Sequence, residues 1–504
     1  MTMTADPATM APASRRYIVL ATVSSATMLY AMAITIANVV LPQMRGALSA
    51  TPDQVAWVVT FNLVATAVVT PISGWLSNRF GRRRVMLIGC FGFTTASVLC
   101  GLADSLEVLV LYRVIQGAFG APLVPISQAI ILDTFPREQH GLATALWGVG
   151  VVTGPIIGPT LGGFIAEEYS WRWVFFMIVP FGAMTYGAIW AFITKRPNRP
   201  KGPSMDWLGF IALAAALAAF QFMFDRGERN DWFESSETIV ECTVAFLALY
   251  IFLVHITTAE NPFIRPRLFL NRNYSIGLAI SFMFGMLSFV PLVLMPSMLQ
   301  DLRGYPDSTI GMLLAIRGAG NMASFLLVIR MAQWTVQATL TFGFLCQALS
   351  GYAISQFDTN VTYFGVAWTG ALQGLGIGMT WVPLTLLMFS TVKPEFLDDA
   401  SAIFHMLRNF ASSLFISICV AVVIHSTYIN GLELGLALNE YSKLLNFPWV
   451  TGVLDLSTVQ GLSAASAEVK RQAAMIGFIN AFRLFAIVAI IPIPLIWLAR
   501  MPKQ

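Results

Sequence analysis

Charge is what this sequence has least of. Asp, Glu, Lys and Arg make up 11% of its 504 residues, against 57% hydrophobic residues. A soluble domain carries about 25% charged and about 45–50% apolar residues. Too few polar side chains remain to coat a soluble surface of this size, so lipid is the solvent expected for the excess. The net charge of +4 is too small to mark a nucleic-acid partner. The five cysteines, Cys90, Cys100, Cys242, Cys346 and Cys419, all lie in apolar runs, without a CxxC and without His at metal spacing. They read as small buried hydrophobes, and no metal is expected. There is no GxxxxGK[ST] loop, so drive by ATP is not expected. No HExxH, GxSxG or Cys–His set is found either, so an enzyme is not expected.

What is there is a succession of apolar runs. They fall at 17–41, 54–76, 85–103, 106–132, 141–166, 173–194, 205–224, 238–258, 274–299, 308–330, 337–356, 361–391, 399–427 and 474–500. Each is long enough for a helix to cross the hydrocarbon core, which needs about 20 residues. Arg15 and Arg16 precede the first run, which is too long for the apolar stretch of a cleaved signal and reads as a retained span. With a cytoplasmic N-terminus, eighteen of the thirty Lys and Arg fall on the cytoplasmic side and eight outside, with four inside spans. That bias, and an even span count, place both termini in the cytoplasm.

Internal repetition points to duplication. LYRVIQGAFGAPLVPIS (111–127) echoes AWTGALQGLGIGMTWVPLT (367–385), with Gln116-Gly117 matched to Gln373-Gly374. Arg113, Arg317, Arg408 and Arg483 lie inside spans. An arginine at mid-bilayer costs about 2.5–3.5 kcal/mol on insertion scales, so it is expected to face a protein interior or a wet cavity. His405 stands three residues before Arg408, on the same helix face. Arg113, Gln116, Gln128, Arg317, His405, Arg408 and Asn38 are the candidates for a substrate cavity and its coupling. Gly150, Gly154, Gly158 and Gly162 recur every fourth position, a smooth helix face for close packing, interrupted by Pro155 and Pro159. In GWLSNRFGRRR (74–84), Gly74, Asn78, Arg79, Gly81, Arg82 and Arg83 form a candidate cytoplasmic gate loop, with Asp133, Asp398 and Asp399 as partners at span ends.

Together these segments resemble the major facilitator superfamily, and within it the fourteen-span drug:proton antiporters of EmrB/QacA type. GWLSNRFGRRR is similar to the loop motif between the second and third spans, LYRVIQGAFG to the fourth-span motif, GVVTGPIIGPTLGG to the fifth-span antiporter motif and ITIANVVLP (34–42) to the first-span motif. DRGERNDWF, NPFIRPRLF and WRWVFFMIVPFG look like the EmrB branch. The resemblance implies a Gram-negative inner membrane, a periplasmic adaptor and an outer-membrane channel. It also implies a proton gradient as driving force with no cofactor. Two departures stand out. Ala33 replaces the acid that many relatives carry in the first span, and Asn78 replaces the usual Asp of the loop. No Asp or Glu is expected deep in a span.

The expected fold is therefore all-α and membrane-spanning, two six-helix bundles (17–194 and 274–500) joined by 195–273, which holds two extra spans. Cytoplasmic tails occupy 1–16 and 501–504, and a long outer loop lies at about 428–473, with short amphipathic helices on the outer face. The expected function is export of lipophilic small molecules by alternating access, probed against two alternatives. These are an exporter of one anionic metabolite or siderophore, and a facilitator without antiport because the first-span acid is absent.

Overall fold

Inside a bilayer no water is at hand for backbone N–H and C=O groups, so each apolar run must satisfy them internally as a helix. The computed structural model describes residues 12–50, 52–194, 205–227, 230–260, 262–330, 335–437 and 458–499. Fourteen long segments run through them. They are α1 (Ala13–Val39), α2 (Pro52–Val69, continued after a bend by Ser73–Phe80), α3 (Arg82–Gly101), α4 (Leu106–Thr134), α5 (His140–Glu168), α6 (Trp171–Phe192) and α7 (Trp207–Arg226). The rest are α8 (Ser236–Thr258), α9 (Arg272–Arg303), α10 (Asp307–Arg330), α11 (Val336–Ile354), α12 (Tyr363–Phe389), α13 (Leu397–Ala437) and α14 (Val459–Leu498).

Among the described residues, twelve helices are long and apolar enough to cross a membrane, and thirteen if the bent pair within α2 counts as one span. The fourteenth expected span is α11, a 19-residue helix whose Gln337, Thr339, Thr341, Gln347 and Ser350 hold its apolarity down. Proline sets the breaks. Pro71 lies at the 54° bend in α2, Pro122 interrupts α4, and Pro492 restarts the end of α14.

The packing repeats. α1 lies on α5 and α6, α2 on α4, and α3 on α4 and α6. The second set does the same: α9 on α13 and α14, α10 on α12, and α11 on α12 and α14. The echo at 111–127 and 367–385 thus falls on α4 and α12, which hold equivalent places. The two sets meet where α5 packs on α10 and α12, and where α13 packs on the later parts of α2 and α4. α7 and α8 form a hairpin, and α7 lies against both α2 and α13.

One expectation is corrected. The outer loop at 428–473 is helical at both described ends, because α13 continues to Ala437 and α14 begins at Val459. No proline stops the chain in 428–437, and Gly431 and Gly435 cost only about 1 kcal/mol each in a helix. The short amphipathic helices expected there fall mostly on 438–457, outside the described residues. α13 has 41 residues. At 1.5 Å per residue that is about 60 Å, roughly twice the hydrocarbon thickness. Residues 438–457, the tails, and the basic residues of 195–201, Arg500 and Lys503 lie outside the described residues.

Candidate functional site between the two bundles

At one end of the molecule, loop 74–84 clamps the start of α13. Gly81 takes φ 87°, a left-handed conformation that glycine adopts without strain, and this starts α3 directly after α2. The turn aims Arg82 across the bundle boundary. Its Nε donates to Asp398 Oδ1 at 2.8 Å and its Nη1 to Asp133 Oδ2 at 3.2 Å. Asn78 Nδ2 donates to Asp399 Oδ1 at 3.2 Å. Gly74 is required because a Cβ there would lie 2.5 Å from Asp399 Oδ1 and 3.0 Å from its Cα. Asp398 and Asp399 occupy the first turn of α13, where the helix dipole favours negative charge. Arg83 Nη2 donates to the Trp190 carbonyl of α6, while Arg79 is exposed.

The second cluster lies further along α13, over about the next three turns, from Ser401 to Arg408. Ser401 Oγ donates to Gln128 Oε1 at 2.9 Å, and His405 Nε2 lies 2.8 Å from the same oxygen. Gln128 is on α4, so these bonds join the bundles. An amide oxygen only accepts, so His405 Nε2 carries the hydrogen in this arrangement. His405 is boxed by Phe404, Trp381 and Trp147, at ring separations of 5.0, 5.9 and 6.3 Å. Trp147 Nε1 donates to Thr27 Oγ1 at 2.8 Å, which draws α1 into the cluster. The Arg408 guanidinium sits 4.8 Å from the Trp381 ring centroid. Gln128 Nε2, Trp381 Nε1, His405 Nδ1 and Arg408 Nε are all buried without a hydrogen-bond partner. Four such atoms in one place are unusual, since buried polar groups nearly always find partners.

Arg113 and Arg317 make their hydrogen bonds to groups other than that cluster. Arg113, 1% exposed, donates through Nε to the Val58 carbonyl at 3.0 Å and through Nη1 to Gln116 Oε1. Gln116 Nε2 in turn donates to Ser97 Oγ at 2.6 Å. About 15 residues of α4 separate this network from Gln128, or roughly 20 Å of helix. Arg317 donates to Gln373 Oε1 and, at 2.9 Å, to the Ser288 carbonyl. It borders a cavity of about 20 Å³ between α9, α10, α11 and α12, room for about one water. The two networks are equivalent. Gly117 meets the Asn62 backbone of α2, and Gly374 meets the Arg317 backbone of α10, so each half has an Arg–Gln bond at a glycine crossing. The arginine comes from α4 in one half and from the α2 counterpart in the other.

The glycine face of α5 lies on α1. A Cβ at Gly150 would come within 2.8 Å of Ser24 Cβ, one at Gly154 within 2.6 Å of the Met28 carbonyl, and one at Gly158 within 2.9 Å of Thr35 Oγ1. Gly162 meets the Ile36 side chain. Pro155 lies within α5, which runs on as one helix, and the side chains of Pro159 and Asn38 are outside the described residues. Arg483 is exposed and lies well inside α14, not near its start.

Sequence reasoning did not single out Trp147, Trp381, Ser401 or Asp225. A tryptophan within a span was the available signal, because a buried indole N–H needs a partner. Asp225 closes α7, and Thr60 Oγ1 of α2 donates to its Oδ2 at 2.6 Å. At the other end of α7, Asp206 accepts from Gly209 N (2.9 Å), Phe263 N (3.0 Å) and His255 Nε2 (2.8 Å). Partial burial pushes the Asp206 carboxyl up. The two backbone N–H groups and His255 outweigh it and hold the group below the usual carboxylate range. Among the described residues, no group of three or more His, Cys, Asp or Glu is placed to hold a metal.

Two duplicated six-helix sets meeting across a polar centre define a membrane carrier, and the chain belongs to the Major Facilitator Superfamily, whose model matches residues 23–416. It is 31% identical over 483 residues to the "Multidrug export protein EmrB" of Haemophilus influenzae, covering 95% of this chain and 94% of that one. It is 31% identical, with the same coverage, to the protein of that name from Escherichia coli K12. It is also 31% identical to the "Fatty acid resistance protein FarB" of Neisseria gonorrhoeae, over 93% of each chain. Among solved structures the fold is similar to the human organic anion transporter MFSD10, with TM-score 0.62 and 14% identity over 95% of this chain and 100% of that one.

Proposed function

We propose that this protein exports lipophilic and amphiphilic small molecules across the bacterial inner membrane by alternating access, with a proton gradient as the driving force. The observation that carries this reading is the central cluster. Gln128 from one bundle and Trp381, His405 and Arg408 from the other present four unpartnered polar atoms beside a wall of aromatic rings. Apolar walls with a few convergent polar groups suit an amphiphile, and the arginine favours an anionic head. The curated relatives' names speak for export.

The Arg82 end is the cytoplasmic one in this reading, with both termini on that side, and the bonds from Arg82 and Asn78 to α13 keep it closed. The bundles then rock about the central cluster, exposing it to one side at a time. In this reading His405 couples transport to protons, because its hydrogen bond to Gln128 bridges the two bundles at the centre. A periplasmic adaptor and an outer-membrane channel complete the path. The α13–α14 extension supplies the adaptor's seat, because exposed Tyr428, Leu432 and Leu436 lie on the part of α13 farthest from Arg82.

The test is uptake of a fluorescent lipophilic drug into energised inverted vesicles, with a protonophore added midway. Uptake that collapses on addition supports proton-coupled export. Uptake indifferent to the protonophore removes the proton from the scheme, and no uptake of any drug tried removes the export reading.

A further inference from the structure

α7 and α8 are extra to the repeated packing, yet α7 is no bystander at the lipid edge. It touches one helix from each bundle. Toward α2, Asp225 accepts from Thr60 at 2.6 Å, Phe222 meets Phe61 edge-on at 5.2 Å, and Arg226 lies 5.8 Å from the Trp57 ring centroid. Toward α13, Gln221 Nε2 donates to Ser413 Oγ at 2.5 Å and Ser417 donates to the Phe224 carbonyl. Phe220 and Phe224 also flank Phe410 at 5.6 and 5.9 Å.

These two sides are unequal. Ala219, Phe220 and Met223 of α7 share one apolar cluster with Ala245 and Leu249 of α8 and Phe410 of α13. No described side chain of α2 belongs to it. Gln221 is 5% exposed, so its bond to Ser413 is shielded from competing water. On the α2 side the backbones approach more closely, but the side chains described there make one hydrogen bond to α7, at the helix end, and two ring contacts. Rigid bundles that rock must break contacts somewhere along α7, because α2 and α13 belong to different bundles. The side without a shared apolar cluster, where less side-chain bonding has to be undone, gives first.

We propose that α7 is a clasp between the bundles, travelling with α13 and releasing α2, with the Thr60–Asp225 hydrogen bond as the contact broken and remade in each cycle. This rests on the alternating-access reading above. α13 then carries three stations in order. Asp398 and Asp399 hold the closed end, Ser401 to Arg408 the centre, and Phe410 to Ser417 the clasp.

The experiment starts from a cysteine-depleted chain that retains transport, in reconstituted vesicles. One pair, Thr60→Cys with Asp225→Cys, spans α2 and α7. The other, Gln221→Cys with Ser413→Cys, spans α7 and α13. A short bifunctional thiosulfonate bridges each pair, and dithiothreitol releases it. Bridging α2 to α7 is expected to lower transport by about tenfold or more, reversibly, as tethering a required motion does. Bridging α7 to α13 leaves transport unchanged. If both bridges block, if neither does, or if only the second does, the clasp as stated is wrong. Where cysteine at Thr60 or Asp225 itself stops transport, Phe61→Cys with Phe222→Cys takes that pair's place. A reduced chain that moves no drug counts against the export reading alone. In that case cross-linking yield decides the clasp. In an Arg82→Ala background, which frees the closed end, the α2–α7 yield must fall while the α7–α13 yield stays constant, and equal behaviour of the two overturns it.

Discussion

At Asn78 the departure from the family's usual loop motif has a local reason. The side chain faces the Asp399 carboxylate at 3.2 Å, where an amide can donate and a second carboxylate cannot. Asn78→Asp is therefore expected to push α13 away from the loop. Asp399→Asn in the same chain restores a carboxylate–amide pair with the roles exchanged. A double-mutant cycle on transport rate should return a coupling of about 0.5–3 kcal/mol, and additive losses would show that the two groups act separately. Gly154 makes a second case. A Cβ there would lie 2.6 Å from the Met28 carbonyl and 3.0 Å from Met32 N, both backbone and unable to turn away. Gly154→Val is expected to part α1 from α5 and cost about 1–3 kcal/mol or more, read as a lower unfolding midpoint in detergent. Gly187→Ala, with nothing within 4 Å, is the control: it is expected not to lower that midpoint, and to raise it slightly because alanine is the better helix former.

Helix identity was legible from apolar run length, because lipid leaves the backbone no alternative. Helix extent was not. The ends of α13 and α14 leave the apolar run while still helical, and residues such as Asn430, Glu433, Glu468 and Arg471 give no lipid signal there. The site divides the same way. The candidate residues were found as polar groups in apolar runs, the pattern that costs most in lipid. Their grouping was not visible, because Gln128 and His405 are 277 positions apart and only the tertiary fold brings them within 2.8 Å. Conversely, Arg113 and Arg317 looked alike to His405 in sequence, yet the structure gives each its own seam within one bundle. The α7–α8 hairpin shows what a single capping residue can organise. Asp206 anchors α7, α8 and the segment leading to α9 at once. Its carboxyl lies below the usual range, so its stabilisation is fully present above the ordinary carboxylate pKa of about 3.9 and disappears only as pH falls through the lower folded value. The Gly209 and Phe263 amides should stay protected from hydrogen exchange at pH 5 and lose protection in stronger acid. In Asp206→Asn, where no titration occurs, that loss should vanish.

For the molecule as a whole, closure at one end is a balance that a few bonds tip. Arg82 touches carboxylates from both bundles, Asp133 and Asp398, and its side chain is 10% exposed, so the bonds are poorly screened. Hydrogen bonds to charged groups contribute about 1.5–3 kcal/mol each. Losing them moves a two-state equilibrium by about tenfold per 1.4 kcal/mol toward the state open at that end. The position to watch is Ala402, 1% exposed on α13 and next in the chain to Ser401, which bonds Gln128 across the bundles. In a cysteine-depleted chain, Ala402→Cys should react slowly with a membrane-impermeant maleimide added to inverted vesicles. Adding Arg82→Ala should speed that reaction about tenfold or more, while labelling of right-side-out vesicles slows. Arg82→Lys should fall between, since a lysine keeps the charge but not the forked geometry that reaches two acids at once. If Arg82→Ala leaves both labelling rates unchanged, the bonds at this end do not hold the molecule closed, and the closed end must be maintained by the α5–α10 packing, where Gly148 meets Phe325 and Gly318 meets Ile156.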